Sequence, residues 1–378
     1  WLKPFSLKSR APLREQSLPP PLRAAPTRVR SCRPMAPRLA SAFAVGVVSA
    51  VVEATLPFGH PRPEGGYPER EGFTLWLVEE FDAPLDLDSD PIWTWSDGGL
   101  FEGQVRFAKE GISFEDGTMR IVASSDPQPG SCSAAEPGIV MEKALRSGEL
   151  RTRHNMFRYG YYEARMKAPS IQPGDPNING NYVSTMFVYR DSKVRHWREI
   201  DIEVTGNTPN SVTMNVLNAD YTLMWNPSIQ ATKEFHASGK NVRSEFSTFA
   251  FEWLPSGITW YLDGNVIGQH PADSSLKVPD LSTKIIMNLW IFSDLWDFGG
   301  REGFNNRYPM HSEYDWFRFY RWDGDTSYPC NDASTSCLTE DDQFWSKNNP
   351  CDGIPQSGAP CETVCNQDAP KEARMFYP

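Results

Sequence analysis

The sequence predicts an all-β fold, a sandwich of two antiparallel sheets, and three observations carry that expectation. From Phe73 to about Trp322 apolar and polar residues alternate over short runs, the period of a half-buried strand. Turn residues punctuate those runs, with Asp-Gly pairs at 116–117 and 263–264 of the kind that close two-residue hairpins. No stretch carries three turns of amphipathic helix, and no internal repeat is present. About 250 residues of this texture suffice to bury a two-sheet core.

The elements follow in order along the 378 residues. Residues 1–34 hold eight Lys/Arg against one Glu, with many prolines, a composition that builds no core. Met35 then opens "MAPRLASAFAVGVVSAVVEA", where Arg38 precedes a largely apolar run from Leu39 to Val52. Small residues around Glu53 suit a signal peptidase, so 35–54 reads as a secretory signal peptide with Met35 as the start. A longer organellar targeting sequence is the rival reading of this basic leader. Residues 55–72, rich in Pro and Gly, read as a linker or extended arm.

Within 73–325, read as one domain, "GISFEDGTMRIVAS" and "ITWYLDGNVIG" predict hairpins. "FSTFAFEW", "YGYYEARMKA" and "EYDWFRFYRW" alternate as single strands. Residues 326–378 lose the strand period and hold five of the seven cysteines. They read as a small cross-linked appendage. With Cys32 leaving in the leader, six cysteines remain, an even number that favours disulfides in an exported protein. Five in the tail leave a remainder, so Cys132 is expected to bond one of them and clamp the tail to the sandwich.

Charge narrows the partners. The chain carries −11 in all, of which the leader contributes +7, leaving −18 on the remainder. Such an acidic surface disfavours nucleic acid and anionic membrane and suits a neutral substrate. Secretion, no membrane association after signal cleavage, and a monomer are the corresponding expectations.

The most informative stretch is "RHWREIDIEVTGN", residues 195–207. On a strand, Trp197, Glu199, Asp201, Glu203 and Thr205 share one face, while Ile200, Ile202 and Val204 take the other. A solvated polar face is the bland reading, but like charges at this spacing repel. An indole among carboxylates is also costly unless a ligand stacks on it. Paired carboxyl groups have a use in glycoside hydrolysis, one as nucleophile and one as acid/base. A third acid between them keeps the site electronegative and holds a proton on whichever glutamate needs one.

"EIDIE" resembles the signature of glycoside hydrolase family 16, in its regular-strand, lichenase-like form. "SGELRTRHNMFRYGYYEARMKAP", "NYVSTMFVYRDSKVRHWREIDIEVTGN", "FSTFAFEWLPSGITWYLDGNVIG", "KIIMNLWIFSDLWDFGG" and "EYDWFRFYRW" are similar, in that order, to segments of that family. The resemblance implies a β-jelly-roll whose concave sheet holds the sugar. It makes Glu199 the nucleophile, Asp201 the assisting acid and Glu203 the general acid/base. Trp197, Glu149, Arg151, Asn215, Asn288, Trp290 and Trp296 match substrate-binding positions. Asp315 matches a carboxylate that holds a structural Ca²⁺ in similar enzymes, with no cofactor needed for catalysis.

The function implied is a secreted retaining endo-β-glucanase acting on 1,3-1,4- or 1,3-linked β-glucan, a polysaccharide partner. A cell-wall glucan transglycosylase is the alternative within the family. A non-catalytic glycan-binding jelly-roll is the alternative outside enzymes, and the three intact carboxylates argue against it. Leu217 departs from the lichenase pattern, which has a tyrosine there, and leaves linkage preference open.

Overall fold

The period-two alternation becomes strand pairing along more than half of the described residues. The computed structural model describes residues 57–98, 105–126, 145–171, 175, 177–190, 197–207, 211–219, 230–236, 241–291 and 306–329. All seven cysteines, the leader, the signal-like segment and Trp296 lie outside them.

The described strands begin with β1 (Phe58–His60), β2 (Phe73–Glu79), β3 (Trp93–Trp95), β4 (Val105–Phe107), β5 (Ile112–Glu115) and β6 (Thr118–Ala123). Next come β7 (Leu145–Ser147), β8 (Glu149–Thr152), β9 (Gly160–Lys167), β10 (Val183–Tyr189), β11 (Trp197–Thr205) and β12 (Ser211–Ala219). The last are β13 (Gln230–His236), β14 (Ser247–Leu254), β15 (Gly257–Leu262), β16 (Asn265–Pro271), β17 (Lys284–Trp290) and β18 (Met310–Trp322).

Seven strands form one sheet in the order β13-β12-β11-β10-β17-β8-β3. A nine-stranded sheet follows the path β1-β2-β18-β9-β14-β15-β16, with β6 pairing both β18 and β5. Pairing is antiparallel except for β1 with β2 and the separate pair β4 with β7. Sequence neighbours often lie in different sheets, as a jelly-roll requires.

Alternation explains which face of each sheet is buried. Ile200, Ile202 and Val204 of β11 have no exposed surface, nor do Met186 and Val188 of β10 or Ile285, Met287 and Leu289 of β17. Tyr162, Ala164 and Met166 of β9 and Phe249, Phe251 and Trp253 of β14 meet them from the other sheet in one continuous core. Each such aliphatic side chain contributes about 1.5–3 kcal/mol on burial. The two Asp-Gly pairs close hairpins as expected. Asp116 and Gly117 have φ of 53° and 71°, Asp263 and Gly264 φ of 48° and 77°, as a type I′ turn demands.

Within the segment read as a linker or extended arm, residues 57–72 contain β1 and pack on the domain. Phe58 stacks on Trp76 at 4.4 Å, His60 Nδ1 lies 2.8 Å from Glu79, and the Arg70 guanidinium sits 3.5 Å over the Tyr161 ring. Pro and Gly obscured this because a three-residue strand with aromatic and cationic anchors has no readable period.

Candidate active site

Strand β11 runs through the middle of the seven-stranded sheet, paired along its length with β10 and β12. Its aliphatic face is locked into the core, so the opposite face must present Glu199, Asp201 and Glu203. Register then assembles the rest, because directly opposed residues on antiparallel strands project from the same face. Glu203 stands opposite Thr185, Thr185 opposite Asn288, and Asn288 opposite Glu149. One row farther along, Asn215, Asp201, Phe187, Ile286 and Arg151 align across five strands. The next row carries Leu217, Glu199, Tyr189 and Lys284.

Hydrogen bonds turn these rows into a connected site. Ser96 Oγ donates to Glu149 at 2.5 Å, and Asn288 Nδ2 donates to the other carboxylate oxygen at 2.8 Å. Thr185 Oγ1 donates to Asn288 Oδ1 at 2.7 Å. Asn215 Nδ2 donates to Glu203 Oε2 at 2.7 Å and also bonds Asp201. The indole N–H of Trp197 donates to Glu199, whose other neighbour is the Asp201 carboxyl. Glu199 and Glu203 are thereby joined through Asp201 and the Asn215 amide.

Burial sets the electrostatics. Only 4% of Asp201 and 8% of Glu203 is exposed, so charge on either is poorly solvated. Desolvation pushes Glu199 up to about 7, opposed by the bonds from Trp197 and Asp201. It pushes Glu203 up to about 8, with the charge of Glu199 adding to it and the Asn215 bond opposing. Asp201 is raised well above its ordinary value, by burial first and then by the charges on both glutamates. The bonds from Trp197 and Asp201 favour the ionised form of Glu199, while the charge of Glu199 favours the protonated form of Glu203.

Of the expected site residues, Glu149, Arg151, Asn215 and Asn288 lie in these rows, and Trp197, opposite Ala219, lies one step beyond the Glu199 row. Trp290 stands opposite Val183, which is opposite Thr205, and is half-buried against the core. Ser96 and Thr185 were missed, since only register identifies them. Asp315 lies in the other sheet, at an irregularity of β18 between Tyr314 and Trp316. Its carboxylate accepts from Arg165, whose guanidinium lies 4.7 Å over Phe246. A Ca²⁺ seeks six to eight oxygens, and a carboxylate already committed to a guanidinium does not fit that demand. Among the described residues no three His, Cys, Asp or Glu side chains converge on a metal position.

The sequence profile of "Glycosyl hydrolases family 16" matches residues 112–316, more than half of the chain and all of the rows above except Ser96. The chain belongs to glycosyl hydrolases family 16. Family 16 membership places it among the glycoside hydrolases. The Beta-glucanase of Brevibacillus brevis is 28% identical over 246 residues, covering 64% of this chain and 81% of that protein. The Beta-glucanase of Acetivibrio thermocellus is 32% identical over 176 residues, 46% of each chain, so the match spans about half of that relative. Among solved structures, the laminarinase catalytic domain from Thermotoga maritima superposes with a TM-score of 0.54 at 18% identity. That match covers 66% of this chain and 99% of the other, and supports the jelly-roll sandwich fold.

Proposed function

We propose that this family 16 chain is a retaining endo-β-glucanase that hydrolyses 1,3-1,4- or 1,3-linked β-glucan. The observation that carries the proposal is the set of three carboxyl groups on one strand face, linked to one another through Asp201 and the Asn215 amide. Two relatives that bear the name Beta-glucanase support the substrate class.

In the first half-reaction the Glu199 carboxylate attacks the anomeric carbon while Glu203 gives its proton to the departing glycosidic oxygen. The carbon–oxygen bond breaks and a glycosyl ester forms on Glu199. Asp201 supports this through its bond to Glu199, which eases ionisation of the nucleophile. Once Glu199 is esterified its charge is gone, and with it one of the influences raising Glu203. Glu203 then holds its proton less tightly and acts as base. It takes a proton from water, whose oxygen attacks the same carbon and releases Glu199 with the β configuration restored.

The remaining assignments belong to the same reading. Trp197 orients Glu199, and Glu149, Arg151, Asn288 and Trp290 bind sugar units across the sheet face; Trp296, outside the described residues, is assigned to sugar binding by the family resemblance alone. Pyranose C–H faces suit the tryptophans, and hydroxyls suit the Glu149–Asn288 pair. Export by the segment 35–54, where the polymer is met outside the cell, completes it. Proton NMR of lichenan digestion tests the mechanism: the first product should carry the β anomer, which then mutarotates. A first-formed α anomer would overturn retention.

A further inference from the structure

The buried side of the catalytic strand holds a feature that its chemistry does not require. Trp260 of β15, in the nine-stranded sheet, is 4% exposed and points across the core. Its Nε1–H donates to the backbone carbonyl of Asp201 at 3.0 Å. Tyr314 of β18, fully buried, donates its hydroxyl to the carbonyl of Thr185 at 2.7 Å, with the Asn288 carbonyl 3.5 Å away. Beside it Ser184 Oγ and Ser312 Oγ meet at 2.7 Å, joining the same two sheets.

Polar groups in a core need partners, and satisfying an indole or a phenol would be reason enough for any acceptor. The choice of acceptors says more. A core carbonyl has a second lone pair beyond its ladder bond at every strand residue. Here the carbonyls used belong to Asp201, Thr185 and Asn288, all of whose side chains lie in the acid rows on the opposite face. Trp253 makes the same kind of bond elsewhere, donating at 2.9 Å to Pro279, outside those rows.

We infer that Trp260 and Tyr314 are positioning residues for the reaction, fixing β10 and β11 from behind so that Asp201 and its row keep their spacing. The inference rests on the proposed roles of Glu199, Asp201 and Glu203. The Glu199–Asp201 bond lowers the proton affinity of Glu199. A strand free to shift under Asp201 weakens that bond, so Glu199 ionises at higher pH and reacts less.

Three variants measured on lichenan decide it, with Glu199→Gln alongside. Trp260→Phe should lower kcat about tenfold with KM within about twofold, since small displacements of reacting groups are costly. The acid limb of its pH profile should move upward. Tyr314→Phe, which removes only an oxygen, should lower kcat about threefold with the same pattern. Trp253→Phe matches Trp260→Phe in lost volume and lost donor, so its Tm should fall comparably while its kcat and pH profile stay put. If Trp260→Phe and Trp253→Phe lose kcat alike, or Tyr314→Phe and Trp260→Phe change Tm alone, the positioning role is wrong. Should Trp260→Phe fail to fold, the nearly isosteric Tyr314→Phe decides alone: an unchanged kcat and pH profile would refute the role. Full activity in Glu199→Gln would instead sink the catalytic reading, and this inference with it.

Discussion

Two glutamates on the two sheets of this protein are driven in opposite directions. Glu203, on the seven-stranded sheet, is pushed up to about 8 by burial and by the charge of Glu199. Glu313, on β18 of the nine-stranded sheet, is pulled down to about 2 by its bonds to His311 and Lys167. Both are strand residues facing away from the core. The difference is the company each keeps: a carboxylate and an amide for Glu203, a histidine ring and a lysine ammonium for Glu313. One surface gathers like charges that weaken the fold and hold protons ready for transfer. The other pairs opposite charges that support the fold and do no chemistry.

Removing the proposed proton donor is the harshest way to probe the first surface. Glu203→Gln should slow lichenan hydrolysis by about 10²–10⁴-fold, the usual share of general acid–base catalysis. An aryl β-glycoside whose leaving group needs no proton should lose far less in its first step. Equal losses on both substrates would show that Glu203 is not the acid.

Stability against pH sharpens the contrast, because the two surfaces must slope in opposite directions. Glu199 has an ordinary value of 4.5 and a folded value near 7, so it costs nothing below 4.5 and destabilises increasingly as pH rises through 7. Glu199→Gln should therefore gain Tm over the parent, by a few °C, between about pH 5 and pH 8. Glu313 has a folded value near 2 against 4.5, so its contribution is complete above 4.5 and vanishes as pH falls through 2. Glu313→Gln should lose Tm at neutral pH, by a smaller margin as the medium approaches pH 2. Parallel Tm-against-pH curves for the two variants would break the comparison.

The smallest expected effect concerns Asp315, close to Glu313 on the ion-paired surface. Since Arg165 already neutralises it, EDTA should shift Tm by under about 1 °C. A fall of several degrees, restored by Ca²⁺, would mean that metal displaces the guanidinium.

Much of this arrangement is legible in the amino-acid sequence alone. Alternation around Ile200, Ile202 and Val204 assigns the faces of β11, and the Asp-Gly pairs mark both hairpins, because these signals are local. The acids stand out because three like charges at strand spacing need a reason. What cannot be read there depends on pairing between distant segments. Ser96 and Thr185 join the site only through the register of β3, β8, β10 and β17, which no single stretch encodes. Trp260 looks like any core tryptophan until its acceptor is known. The strand pairing of Phe58–His60 escapes notice because its anchors, Trp76 and Glu79, belong to another strand.

The central claim is that Glu199 is the group that bonds to the sugar. An activated 2-deoxy-2-fluoro β-glucobioside tests it directly. The fluorine slows both steps and the good leaving group restores the first, so the glycosyl ester accumulates. After proteolysis, the added mass should map to Glu199 in the peptide spanning β11, and turnover should stop in proportion to labelling. Label on Asp201 or Glu203, or full inactivation with no covalent adduct, would contradict the account.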